Sequence, residues 1–458
     1  MKKLLNSRHG AIAIILAIAF FVRALIPLLA YGMTGDATAF HGYDTHSYIE
    51  PARSLIESGQ FASSGRPEIF RTPGYSVFLI PGLLLDRVEF MTIAFQVLLG
   101  CVTVYLIYRL VLILFENRTV ALLGVLLCAL EPMSAIWSSF LLSETLFTTL
   151  ILAFLYSLVR YIKRRSLQNI LLATLFLTIS IYVRPIGYYL PILISIFLLL
   201  GTLITRQFNK SLIPHLAIFL IATVGSVGLW QIRNAVTTGY SFFAAVADHN
   251  LYCYNAAALV AHQRDRPFFD TSAQLCGRGV FDYFEIHPEQ RDWTQAQIYR
   301  YQGRAGKELI ASHPIDYAIV HFQALFKTLV SSTGRRYVQL FTNRRESEFR
   351  DRIHWLLSVE TPNPLLAWGL VAIHLIDIAF YSLLYLFSIR AWFSKPAIAN
   401  LSGLAVLSVT TYLIILTAPP GSERFRVPIM PILCGFAAYG LWLTFHQWRD
   451  RADANTES

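Results

Sequence analysis

The sequence predicts an all-α polytopic membrane protein, a bundle of ten or eleven transmembrane helices with amphipathic helices in its first outer loop. Three observations predict it. The 458-residue chain is 55% hydrophobic and only 14% charged, whereas a soluble domain is about 25% charged and needs that polar surface to stay in water. The apolar residues are gathered into runs long enough, at about 1.5 Å per residue, to cross a hydrocarbon core of about 30 Å. The basic residues cluster in the loops at alternate ends of those runs, as the positive-inside rule requires.

Ten runs qualify: 11–31, 88–115, 119–137, 140–162, 167–183, 186–205, 212–232, 364–389, 397–418 and 427–446. An eleventh, 313–331, is weakened by His321, Gln323 and Lys327. The first run exceeds a signal h-region of about 7–15 residues and lacks a small-residue cleavage site, so it is read as a retained span. Lys2, Lys3 and Arg8 precede it and place the N-terminus in the cytoplasm. Arg118 follows the second span, Arg160, Lys163, Arg164 and Arg165 the fourth, Arg206 and Lys210 the sixth. Segments 32–87 and 233–312 then face outwards. The net charge of +10 is largely a topological signal and requires no nucleic-acid partner.

Arg335, Arg336, Arg344, Arg345, Arg350 and Arg352 by count favour a cytoplasmic location, which would make 313–331 a true span. The preferred reading keeps 233–363 outside, with 313–331 as a re-entrant or interfacial helix, because long loops cross despite charge. Arg390, Lys395, Arg449 and Arg451 then lie inside. Three regions follow: 1–232, a transmembrane module that includes the first outer loop (32–87); 233–363, an extracytoplasmic region; and 364–458, the last helices with a short cytoplasmic tail.

Cys101, Cys128 and Cys434 fall within spans and read as small apolar fillers. Cys253 and Cys276 share the outer loop, where an oxidising compartment lets a pair persist as a disulfide; two free thiols are the alternative. No Cys or His pattern has zinc spacing, and there is no Walker loop, no GxGxxG and no internal repeat.

Ionisable groups are costly at membrane depth, so each needs a reason. Arg23, Glu89, Arg109, Glu131, Glu144, Arg184 and Asp377 are the set within or beside the spans. Many of them, with Arg233 and the Arg424-Phe425-Arg426 segment, fall at the outer ends under this topology. Snorkelling at span ends accounts for any one of them; their convergence on one face favours a shared site. The loop 32–87 is the richest segment. Asp44 and Tyr48 share a face of an amphipathic helix over 45–58 that Gly59 stops. Arg71-Thr72-Pro73-Gly74-Tyr75 is a rigid turn into a second short helix, 75–85. Asp44 also suits a plain helix N-cap. His41 and His46 are nearby but lack a third ligand for a metal.

Asp44-x-x-x-Tyr48, Gly59-x-Phe61 and Arg71-Thr72-Pro73-Gly74-Tyr75 together resemble the first outer loop of GT-C-type glycosyltransferases, in the branch of protein O-mannosyltransferases and aminoarabinose transferases. Glu131-Pro132, Leu142-Ser143-Glu144-Thr145-Leu146-Phe147, Arg184-Pro185, Trp230-x-x-Arg233-Asn234 and Arg424-x-Arg426-x-Pro428-x-x-Pro431 are similar to further features of that branch. The family often has Asp-Glu where this chain has Asp44-Thr45, and segment 235–312 matches no family feature.

The resemblance implies a GT-C-like bundle and a membrane enzyme that moves a hexosyl or pentosyl group from a polyprenyl-phosphate donor at the outer face of the bacterial inner membrane. Asp44 would be the general base. Arg71, Arg184, Arg233, Arg424 and Arg426 would hold the donor phosphate, because a guanidinium fork matches phosphate oxygens. Tyr48, Tyr75 and Glu144 would orient the acceptor or the arginines. No cofactor or metal is expected, since Asp44 has no second acid beside it. The expected partners are the lipid-linked sugar, the bilayer and an acceptor that is a lipid, a glycan or a protein. The alternative is a transporter or flippase of envelope glycoconjugates, expected to carry inverted repeats and a site at mid-depth.

Overall fold

The computed structural model describes residues 10–206, 210–277, 280–343, 364–394, 400–417 and 419–456. Lys2, Lys3, Arg8, Arg344, Arg345, Arg350, Arg352 and Lys395 lie outside the described residues. All ten apolar runs contain helix. Seven helices are long and apolar enough to cross a membrane: Gly10–Thr34, Val88–Phe115, Glu144–Arg164, Pro185–Ile204, Leu212–Thr238, Leu375–Trp392 and Glu423–Asp450. Shorter apolar helices, Arg118–Leu130, Leu167–Val183 and Leu401–Ile415, take the other three runs. The predicted eleventh run is the helix Pro314–Val330, which is not among these spans. Large apolar side chains such as Phe21, Leu28, Ile204, Ile221 and Val236 stand exposed around the bundle, as they do where lipid replaces water. The chain is a multi-pass membrane protein.

Charges inside the helices are absorbed by backbone groups that a helix leaves unpaired at its ends. Arg23 is buried and donates to the carbonyls of Ala129 (2.9 Å) and Cys128 (3.1 Å), at the end of Arg118–Leu130. Glu131 breaks the third run in two: its carboxylate accepts from the N–H groups of Met133 (2.8 Å) and Ser134 (2.7 Å) and caps Pro132–Trp137. Asp377 accepts from Ser332 Oγ and Thr333 N, both at 2.8 Å. These three groups are structural.

The loop 32–87 follows the predicted pattern. Helix Thr45–Ser58 buries Thr45, Tyr48, Ile49 and Ala52 on one face and ends at Gly59, whose φ of 70° is the left-handed conformation glycine adopts without strain. Helix Pro73–Leu84 starts two residues earlier than expected, with Pro73 in its first turn, where the missing N–H costs nothing. Gly74 lies so close to the Tyr182–Val183 backbone that an added Cβ would stand 2.6 Å from it. That approach brings the Arg71 turn beside Arg184. Between the two helices, Ala62–Ser63 pairs with Arg66–Pro67 as a minimal antiparallel hairpin.

Segment 246–312 is a small helical unit. A π-helical turn, Leu251–Ala256, lies in it, against helix Gln295–Ser312, whose Gly306 admits the Leu251 backbone. Cys253 and Cys276 are joined as a disulfide, with Cα atoms 5.8 Å apart.

Candidate active site

Five predicted side chains meet at one end of the bundle. Asp44 precedes helix Thr45–Ser58, Arg71 leads into Pro73–Leu84, Glu144 opens Glu144–Arg164, Arg184 ends Leu167–Val183, and Arg424 lies in the 3-10 turn before the last helix. Each is at a helix terminus. Four remote segments thus supply one cluster without placing a charge mid-span.

Arg424 is the hub. Its Nη1 donates to Asp44 Oδ2 at 2.6 Å, and its Nε donates to Glu144 Oε1. Arg71 closes the Asp44 side, Nη2 to Oδ1 at 2.5 Å. Arg184 closes the Glu144 side, Nη1 to Oε1 at 2.6 Å. Three guanidiniums against two carboxylates leave one positive charge in excess. Asp44 makes no capping bond, so the N-cap alternative is overturned: both its oxygens belong to the arginines. Burial pushes the Asp44 carboxyl up, but the charges of Arg424 and Arg71 outweigh it and hold the group well below its usual range.

The two carboxylates differ in access. The Glu144 side chain is fully buried, whereas that of Asp44 is 25% exposed. Glu144 Oε2 has no hydrogen-bond partner among the described residues. Asp44 is thus the more accessible carboxylate of the two, and Glu144 holds Arg184 and Arg424.

Aromatic side chains line the cluster. The Arg71 guanidinium lies between the rings of Tyr48 (4.8 Å) and Phe70 (5.0 Å), and its Nε donates to Ser47 Oγ at 3.0 Å. Trp137 lies between Arg336 (5.2 Å) and Arg424 (6.0 Å). Arg336 in turn binds Glu423 at 2.7 Å. Tyr75 is completely buried and donates to Gln96 Oε1 at 2.9 Å, while Gln96 donates to the carbonyls of Ser138 and Phe140. Tyr75 therefore ties helix Pro73–Leu84 to helix Val88–Phe115 through Gln96.

Two predicted arginines stand apart. Arg233 donates to the carbonyls of Glu68 (2.6 Å) and Phe61 (2.7 Å) and packs on Trp230, tying the hairpin to helix Leu212–Thr238. Arg426 donates to the Leu329 carbonyl and stacks on Tyr381 at 4.1 Å. In a 3-10 turn, residues two apart point in different directions, so Arg424 and Arg426 separate.

As site residues, Trp137, Ser47, Phe70 and Arg336 escaped the sequence reading, as did His249 and Tyr254 of segment 246–312. The His249 ring lies 5.4 Å from Phe70 and 6.0 Å from Tyr254. The Tyr254 phenol is pushed up by burial and by the Asp44 charge. Only the adjacency of Glu423 to Arg424 hinted at the Arg336 pair. Among the described residues, no three His, Cys, Asp or Glu side chains converge to hold a metal ion.

Residues 73–230 match the model of the dolichyl-phosphate-mannose-protein mannosyltransferase family. No curated protein matches the chain by sequence. Among solved structures, the chain is similar to the apo oligosaccharyltransferase of Archaeoglobus fulgidus, with a TM-score of 0.53 at 12% identity over 98% of this chain and 52% of that one. It thus spans about half the length of that enzyme. Its similarity to the AglB oligosaccharyltransferase of the same organism, in complex with an inhibitory peptide and a dolichol-phosphate, has a TM-score of 0.48 at 11% identity, over 95% and 52% of the two chains. ArnT from Cupriavidus metallidurans bound to undecaprenyl phosphate gives a TM-score of 0.39 at 14% identity, over 95% and 78%. The resemblance to GT-C-type glycosyltransferases read from the motifs is borne out by the family match, and the helical membrane fold by the likeness to the oligosaccharyltransferase.

Proposed function

We propose that the chain is a membrane glycosyltransferase that moves a sugar from a polyprenyl-phosphate donor to an acceptor at the end of the bundle where Asp44 lies, with Asp44 as general base. The observation that carries this reading is Arg424 clasping Asp44 and Glu144 together, flanked by Arg71 and Arg184. The family match over 73–230 supports it.

The chemistry follows from the charges. When the bond between the anomeric carbon and the phosphate oxygen breaks, negative charge builds on the leaving phosphate. Preorganised guanidiniums in a partly dry site stabilise that charge without reorganising. Arg424, Arg184 and Arg71 are the group that does this; Arg233 and Arg426 hold the scaffold. An acceptor hydroxyl or amine attacks the anomeric carbon from the opposite face and gives its proton to Asp44. One displacement with one base inverts the anomeric centre.

In the ion-paired state Asp44 is a weak base, because the arginines hold its proton affinity down. A donor phosphate that draws Arg424 and Arg71 to itself relieves that hold and leaves burial to raise the carboxyl. Donor binding then prepares the base, so proton abstraction waits for a donor.

A transporter needs a site at mid-depth that opens alternately to both sides. The cluster is instead built at helix termini on one side, which favours the enzyme. The test is a transfer assay with purified protein, undecaprenyl-phosphate sugars of hexose and pentose type, and envelope lipid, glycan and peptide acceptors. Comparative mass spectrometry of envelope glycoconjugates with and without the protein names the acceptor. Asp44→Asn is expected to bind donor and to abolish transfer; full activity in that variant overturns the assignment of the base.

A further inference from the structure

We propose that the end of the bundle opposite Asp44 carries a binding site for the headgroup of an anionic phospholipid, between helices Val88–Phe115 and Glu144–Arg164. The latter helix runs from the Asp44 cluster through 21 residues, about 30 Å, so its last turn lies one bilayer thickness away. A cavity of about 360 Å³ opens there.

Its polar lining is Arg109, Glu116, Tyr156, Arg160, Lys163 and Arg164. Among the described lining residues the one carboxylate is Glu116, which pairs with Lys163 at 2.9 Å. Four cations against one anion leave three positive charges in a pocket between two helices. Arg109 and Arg160 approach the same ring from different helices, with guanidinium carbons 5.5 and 5.6 Å from the centre of Tyr156. Two like charges converging on one tyrosine repel each other, and an anion bound between them offsets that repulsion. Both are partly buried, whereas Arg118, Arg206 and Lys210 at the same end are exposed. Arg109 is further held by a hydrogen bond to Tyr105 Oη at 3.0 Å, so its fork is preset for phosphate oxygens.

The flank of the pocket identifies a lipid rather than a free ion. Leu98, Val102 and Tyr105 are 54%, 46% and 40% exposed and, with Arg109, lie three or four residues apart on one face of Val88–Phe115. They form an apolar stripe that runs from the membrane interior to the pocket. A phosphodiester in the pocket would lay its acyl chain along this stripe. Basic pockets between transmembrane helices recognise such headgroups in this way.

The experiment measures lipid retention by native mass spectrometry and lipid titration of the full chain in phosphatidylcholine nanodiscs. The probes are phosphatidylglycerol, phosphatidylcholine and inorganic phosphate. Phosphatidylglycerol is expected to bind preferentially. Arg109→Ala with Arg160→Ala is expected to weaken it about 30-fold, at roughly a factor of five per arginine. Arg206→Ala with Lys210→Ala removes the same charge at the same end outside the pocket and is expected to change binding less than threefold. Thermal unfolding in phosphatidylcholine checks the double variant; if it does not fold, Arg160→Gln alone is expected to show a fivefold loss. Equal losses in the two pairs mean diffuse attraction and overturn the proposal. So does phosphatidylglycerol binding no tighter than phosphatidylcholine, or full displacement of the lipid by equimolar inorganic phosphate.

Discussion

Arg424→Gln separates what the hub does for stability from what it does for transfer. In the parent, Glu144 is fully buried and held by Arg424 and Arg184, while Asp44 is partly exposed and held by Arg424 and Arg71. Removing one partner of a buried ion pair costs about 3–5 kcal/mol, because the other charge stays in low dielectric. Arg184 remains on Glu144 and Asp44 has water and Arg71, so the low end, about 3 kcal/mol, is the expected loss. Adding Glu144→Gln removes the stranded charge, so Glu144→Gln with Arg424→Gln is expected to unfold later than Arg424→Gln alone in a nanodisc thermal melt. Transfer behaves differently. A phosphate that loses one charge-assisted partner loses about 2–4 kcal/mol of transition-state stabilisation, or roughly 30- to 1000-fold in rate. The double variant is expected to recover stability and stay slow. If it melts as early as the single variant, the Glu144 charge is not what Arg424 neutralises. If Arg424→Gln transfers at the parental rate at every donor concentration, the phosphate is held elsewhere.

The pH dependence is expected to differ between free and donor-bound protein. Asp44 is held below its ordinary value of 3.8, so its contribution to stability is complete above that pH and fades only as pH falls through the lower folded value. For the same reason the acid limb of kcat/KM is expected below pH 4, and that of kcat, with Arg424 drawn to phosphate, at higher pH; the reverse order refutes the release of Asp44 by donor. Replacing Cys253 and Cys276 by Ser opens a loop of 23 residues and is expected to cost about 3 kcal/mol in chemical denaturation of the outer segment; an unchanged midpoint refutes a stabilising bridge. An impermeant thiol reagent applied from outside is expected to label Gln60→Cys and spare Arg164→Cys, both at exposed positions; the opposite pattern inverts the topology.

The spans, the helix over 45–58 with its stop at Gly59, and the identity of Asp44, Arg71, Arg184, Glu144 and Arg424 were legible in the chain by itself. Their legibility has a physical cause. A bilayer imposes a length and an apolar content on each span, and it makes each ionisable group near a span costly enough to be conspicuous. Local pattern could not say which charges serve structure. Glu131, Arg23 and Asp377 have the same outward signature as Glu144, yet they pair with helix-end backbone. Arg426 looked equivalent to Arg424, and the 3-10 turn sent it to Leu329 and Tyr381 instead. Arg233 was drawn to the carbonyls of Phe61 and Glu68. The tertiary structure also decided the fate of Asp44, which reads as a helix cap from its neighbours and becomes an ion-pair partner only when Arg424, 380 residues away, arrives. Sequence shows which groups need a partner, because that need arises from burial and charge. It does not show which partner each finds, because that depends on how helices far apart in the chain pack side by side.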